Sequence, residues 1–196
     1  MAIDSTSVKS ILANPFIDGE QIYLRPLTEE DASGNYPHWF NDADVCRGNS
    51  HHVYPYTQQQ ALDFIKSLPT RNDMLVLAIV SKISETHVGN ISLQNINRIN
   101  RCAEFAIIIG EKSAWGKGVG KEAARLVISH GFLSLNLHRI ECGTFENNFS
   151  MQKIALSIGM RLEGTRRKKA YKDGNYYDVL EYGMLREEFL EGIAER

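Results

Sequence analysis

A chain of 196 residues with 43% hydrophobic and 23% charged side chains suffices for one well-buried α/β domain and little more. Its net charge of −2 offers no electrostatic handle for a nucleic acid or a membrane surface. Three cysteines, Cys46, Cys102 and Cys142, are odd in number, far apart and without zinc spacing, which reads as reduced thiols and a cytoplasmic setting.

Residues 1–18 read as a poorly specified arm of a single domain spanning 1–196, with no signal peptide because the N-terminus is polar. Gln21 to Leu27 alternates as a first strand, with Pro26 placing it near an edge or an end. Thr28, followed by Glu29, Glu30 and Asp31, starts a helix that runs to about Phe40, with Pro37 as a break. Asn41 to Tyr56 is a loop. Thr57 and Gln60 make a capping box for a helix through Leu68. Asp73 to Lys82 and His87 to Asn95 form a hairpin, and the apolar run Leu75 to Val80 is far too short to span a bilayer. Ala103 to Ile109 is a strand rich in β-branched residues that ends at Gly110. Gly118 to about Ser134 is a helix with apolar positions at Ala123, Ala124, Val127, Ile128 and Gly131. Arg139 to Phe145 is a strand, and Asn147 starts a helix that Gly159 stops. Met160 to Tyr171 and Tyr176 to Leu185 pair through the turn Asp173-Gly174-Asn175. Leu185 to Ile193 closes the chain as a short helix. Only the middle of this order is βαβ, so the sheet is expected to be mixed rather than doubly wound.

The chemistry concentrates between the Ala103–Ile109 strand and the helix after it. Gly116, Gly118 and Gly120 alternate with Lys117, Val119 and Lys121. Glycines allow a sharp turn and close ligand approach, and the free N–H groups of a helix start carry about half a positive charge. The combination is a phosphate-binding nest. A Walker loop is excluded, because Trp115 stands five residues before Gly120 and Glu122 follows Lys121. The dinucleotide fingerprint fits Gly118, Gly120 and Ala123, with Glu141 at its acidic position, but it requires the strand to enter the glycines directly, and Glu111 to Lys117 intervene.

Trp115 to Gly120 also resembles the acetyl-coenzyme A loop Gln/Arg-x-x-Gly-x-Gly/Ala of the GNAT N-acetyltransferases, with Trp in place of the first residue. Other pieces resemble the same family in order and spacing: Leu24-Arg25-Pro26-Leu27, Gly89-Asn90-Ile91, Ala103-Glu104-Phe105, Leu137-His138-Arg139-Ile140, Glu146-Asn147 through Ser150, and Gly159-Met160 to Glu163-Gly164. The chain is most similar to the branch of ribosomal-protein N-terminal and amino-sugar acetyltransferases.

The resemblance implies an α/β (α+β) fold with a mixed, mostly antiparallel sheet, helices on both faces and a central parallel pair, Ala103–Ile109 and Arg139–Phe145, that splays. Pantetheine is then expected against the backbone of Ala106, Ile107, Ile108 and Ile109. The pyrophosphate falls on the loop of Trp115, Gly116, Lys117, Gly118, Val119, Gly120 and Lys121. Asn147 matches the asparagine that binds pantetheine and also reads as a helix N-cap. The implied activity is acetyl transfer from acetyl-coenzyme A, with no metal, to an amino sugar or a protein N-terminal amine by direct attack. The partner is a small-molecule or peptide amine, and a homodimer is left open.

The attacking amine must be neutral. An α-amino group of pKa about 8 is roughly one-tenth neutral at pH 7, a lysine side chain only about once in a few thousand. Glu104, a charge in an apolar strand, is the candidate base; a solvent-facing or arginine-paired carboxylate is the alternative. Many family members protonate the leaving thiolate with a tyrosine, but here that position is Ala155. Ser150 is the substitute candidate, and Tyr182 a further one without positional support. Tyr36, Trp39, Phe40, His51, His52, Tyr54 and Tyr56 supply an aromatic acceptor region or a hydrophobic cluster. Arg166 to Lys169 reads as a solvated basic face or as a contact for an acceptor phosphate. A coenzyme A-binding module without catalysis and a dinucleotide-binding oxidoreductase are the competing functions.

Overall fold

The computed structural model describes residues 15–194. Eight strands form one sheet: β1 (Ile17–Asp18), β2 (Ile22–Pro26), β3 (Leu75–Ser81), β4 (His87–Asn97), β5 (Cys102–Ile109), β6 (Arg139–Phe145), β7 (Arg161–Lys172) and β8 (Asn175–Leu185). Their spatial order is β1-β2-β3-β4-β5-β6-β8-β7. Every neighbouring pair is antiparallel except β5 and β6, so the mixed sheet expected from the sequence is the sheet observed. The helices are α1 (Glu29–Ser33), α2 (Tyr36–Trp39), α3 (Gln58–Ser67), α4 (Val119–Leu133), α5 (Phe149–Ser157) and α6 (Arg186–Ala194).

Strand alternation sends one set of side chains to each face. Leu77, Ile79, Ile91, Leu93, Ala103, Phe105 and Ile140 pack with Ala123, Ala124, Val127 and Ile128 of α4. On the other face Ala78 and Val80 pack with Leu27, Tyr36, Trp39, Ala61 and Ile65 of the first three helices and their approaches.

Three local expectations change. The helix expected from 28 to 40 is two short helices, because Gly34 ends the first by donating its N–H to Asp31 O. Pro37 lies in the first turn of α2, where a missing N–H costs nothing, so it starts that helix rather than breaking one. Residues 17–18, assigned to the arm, form β1 against Leu24 and Tyr23, and Phe16 N before them donates to Leu24 O at 2.8 Å; residues 1–14 of that arm lie outside the described residues. Asn148, not Asn147, caps α5, accepting from Met151 N at 3.1 Å.

The anchor of α1 is a buried ion pair. Arg25 on β2 grips Asp31 with two bonds of 2.7 Å, Thr28 N donates at 2.8 Å and His87 Nδ1 lies at 3.1 Å. Burial opposes ionisation of Asp31 most strongly, but Arg25, His87 and Thr28 outweigh it and hold the carboxyl well below the usual carboxylate range. A depressed folded pKa gives stability that is complete above the unfolded value of about 4 and is lost as pH falls through the folded one. Asp31→Asn should therefore cost about 3–5 kcal/mol near neutral pH, the cost of breaking a buried pair. Melting scans at falling pH should show the gap to wild type closing below about pH 4. A gap that stays constant to pH 2 would refute the assignment.

Candidate active site

β5 and β6 pair over only three residues, Cys102 with Arg139, Ala103 with Ile140 and Glu104 with Glu141. Beyond Glu104 they part: β5 stays with β4 as far as Ile109, and β6 stays with β8 as far as Phe145. From Phe105 onward β5 has no strand partner on its β6 side among the described residues, which leaves backbone N–H and C=O groups available to an extended ligand. The gap opens into a cleft of about 410 Å³, whose lining includes Ala106, Ile107 and Ile108 from β5, Gly143 to Phe145 from β6, and Asn148 and Met151 from α5. Ile109 is not in that lining; its carbonyl accepts from Trp115 Nε1 at 2.8 Å. Trp115, the residue that departs from the loop pattern, thus braces the glycine loop onto the end of β5.

The loop has the geometry of an anion cradle. Gly116 and Gly118 have φ of +73° and +84°, a region open to glycine at little cost, and a Cβ on Gly116 would meet nothing within 4 Å. Gly118 is the N-cap of α4, and the first helical bond runs from Glu122 N to Gly118 O. The N–H groups of Val119, Gly120 and Lys121 therefore precede the ladder. Lys117 and Lys121 are exposed beside them, while the Val119 side chain is in the core. Glu122 turns the other way, accepting from Glu20 N and Gln21 N and tying α4 to the β1–β2 turn.

Glu104 stands at the fork. It lines both the cleft and a larger one of about 710 Å³ over β6, β8 and β7. Its Oε2 accepts from Asn95 Nδ2 at 3.0 Å, so the arginine pairing considered from sequence is not what holds it. The neighbouring carboxylates are engaged: Arg139 binds Glu141 and Glu163, and Arg166 binds Glu181 at 2.7 Å. Arg167, Lys168 and Lys169 are exposed where β7 slips register against β8, with Lys168 N bonded to Asp178.

The aromatic region divides. Tyr36, Phe40, His51 and Tyr56 line the smaller cleft, with Phe40 and His51 edge to face at 4.5 Å and the Tyr36 and Tyr56 hydroxyls 3.5 Å apart. Trp39 does not line it; only 4% exposed, it bonds Glu111 and lies so close to Gly110 that a Cβ there would enter its ring. His52 and Tyr54 are exposed and are in neither cleft. Ser150 is also exposed and outside both, and so is Asn147. In their place the structure presents Asn148, which lines the cleft and donates from Nδ2 to Gly48 O at 2.9 Å. Sequence carries no signal that separates Asn148 from Asn147, since each can cap the N–H three residues on.

The chain matches the family model of the acetyltransferase (GNAT) domain over residues 21–161. It belongs to the GNAT acetyltransferase family. Among its relatives, the uncharacterized N-acetyltransferase p20 of Bacillus licheniformis is 29% identical and covers 87% of this chain and 96% of its own. Spermidine N(1)-acetyltransferase of Escherichia coli is 27% identical over 86% and 88%. Spermidine N-acetyltransferase from Vibrio cholerae, solved in complex with CoA and spermine, superposes with a TM-score of 0.79 at 22% identity over 88% of this chain and 99% of that one.

The GNAT fold accounts for the splayed pair and the helix after the glycine loop, and the chain is an N-acetyltransferase. Its family uses acetyl-coenzyme A, and the donor set here fits that molecule: a nest of helical N–H groups with two lysines for phosphates, then free strand edges for amides. Ala155, where many GNAT enzymes carry tyrosine, is fully buried in the core. Burial, with Glu104 and Glu141 nearby, pushes the Cys142 thiol up to about 12, so this cysteine stays a thiol at neutral pH.

Proposed function

We propose that this GNAT enzyme moves the acetyl group of acetyl-coenzyme A to a primary amine by direct attack in a ternary complex, with Glu104 as general base. The supporting observation is the position of Glu104 at the fork of β5 and β6, its carboxylate held, among the described residues, by the Asn95 amide alone. In this reading pantetheine lies along Ala106–Ile109 and the pyrophosphate on the Gly116–Lys121 loop, with Asn148 taking the role that sequence gave to Asn147. The amine enters between Tyr36, His51 and Tyr56 on one side and Glu104 on the other. Its nitrogen forms a bond to the thioester carbon, its proton passes to Glu104 directly or through a water, and the sulfur leaves as thiolate.

The acceptor in this reading is an amino sugar or a protein N-terminal amine. An α-amino group also places the least demand on the base. Spermidine, named for two of the relatives, is the comparator. Thiol release from acetyl-coenzyme A measured with an amino sugar, a short peptide and spermidine ranks the three. No release with any of them would leave a coenzyme A-binding module instead.

Ligand stabilisation separates the cofactor classes. At 100 times its dissociation constant acetyl-coenzyme A should stabilise the folded protein by about 2.7 kcal/mol, seen as a rise in melting temperature, and NAD or NADP should give no rise. The reverse pattern would indicate an oxidoreductase.

A further inference from the structure

Lys172, the last residue of β7, is 6% exposed. Lysine is rarely buried without a carboxylate partner, yet among the described residues this ammonium is bound by backbone alone. It donates to Cys46 O at 2.6 Å, Asn49 O at 2.8 Å and His51 O at 2.7 Å. An ammonium has three donors, and all three are used on one six-residue segment more than 120 positions away in the chain. The same segment is held from its other side by Asn148, which bonds Gly48 O and packs so close that a Cβ on Gly48 would come within 2.6 Å of the Asn148 Cγ.

The function of that segment follows from its position. Gly48, Asn49, Ser50 and His51 line the smaller cleft, and Ser50 lines the larger one too. Its residues lie in neither helix nor strand; beside its own turn bonds, such as Asn49 N to Cys46 O at 3.2 Å, the bonds of Lys172 to its carbonyls tie it to the end of β7. The hairpin turn at Asp173-Gly174, with both residues at positive φ (49° and 82°), fixes the end of β7 and hence the lysine; such a pair of conformations is that of a tight two-residue hairpin.

We propose that Lys172 is a positioning residue for the acceptor amine: its ammonium latches the Cys46–His51 wall so that the acceptor faces Glu104. The reaction geometry rests on the preceding reading, but the latch does not. Displacing a positioning wall by about 1 Å can cost roughly 100-fold. Lys172→Met should thus raise the acceptor KM roughly 10- to 100-fold, with acetyl-coenzyme A affinity by calorimetry unchanged and amide exchange of residues 46–51 accelerated. Lys172→Arg, which keeps charge and donors, should recover part of the KM. Should the methionine variant not fold, Lys172→Gln, which retains two donors without charge, carries the same test. Unchanged exchange at 46–51 in a folded variant overturns the latch. Faster exchange with acceptor KM unchanged, or with acetyl-coenzyme A affinity lost in parallel, overturns the positioning role. If wild type releases no thiol with any amine, the transferase reading fails by itself, while exchange still decides the latch.

Discussion

Glutamine in place of Glu104 is expected to cut turnover by about 10²–10⁴-fold, the usual contribution of a positioned general base. Affinity for acetyl-coenzyme A should be unchanged, because the coenzyme is expected to meet the backbone of β5 rather than this side chain. Stability should change little, since a glutamine carbonyl can accept the same bond from Asn95. The deficit should shrink toward pH 10, where more of the amine is already neutral. A purely structural Glu104 predicts the opposite pair of results, a lower melting temperature and near-normal turnover per folded molecule at every pH. Measuring both from pH 6 to 10 distinguishes the two, and a flat, near-wild-type rate profile removes Glu104 from the mechanism.

Gly118→Glu is expected to abolish coenzyme binding. A side chain at φ +84° is strained by about 1–2 kcal/mol, and its carboxylate would lie at the N-terminus of α4, in competition with the pyrophosphate for the same N–H groups. Losing two charge-assisted hydrogen bonds at about 1.5–3 kcal/mol each amounts to roughly 10²–10⁴-fold in dissociation constant. Gly118→Ala carries the strain without the charge and should retain most of the affinity. Calorimetry on the two variants separates the terms; equal affinity in a folded glutamate variant would exclude this loop as the phosphate site.

What sequence could show follows the range of the forces involved. The strand, glycine loop and α4 were legible because apolar periodicity and positive-φ glycines are local demands, and the Asp173-Gly174 turn was legible for the same reason. The boundary at Asn147 was off by one residue because two adjacent asparagines are equally good caps, and only the contact with Gly48, a hundred residues away, selects Asn148. Trp39, His52 and Tyr54 were grouped with Tyr36 and His51 by composition, whereas the division among them is set by tertiary packing. Lys172 gave no signal, since a charged residue at a strand end ordinarily faces water.

The three-residue ladder between β5 and β6 has a mechanical meaning. Among the described residues it is the only strand pairing that joins the five strands built from residues 17–109 to the three built from 139–185. Two plates joined along so short a seam enclose a wedge whose apex is the last rung, Glu104 opposite Glu141. The plates are clamped elsewhere too, by the core they share under α4 and by the bonds of Lys172 and Asn148 to residues 46–51. A carboxylate at the apex is aimed by the seam, and the clamps set how wide the walls stand beyond it.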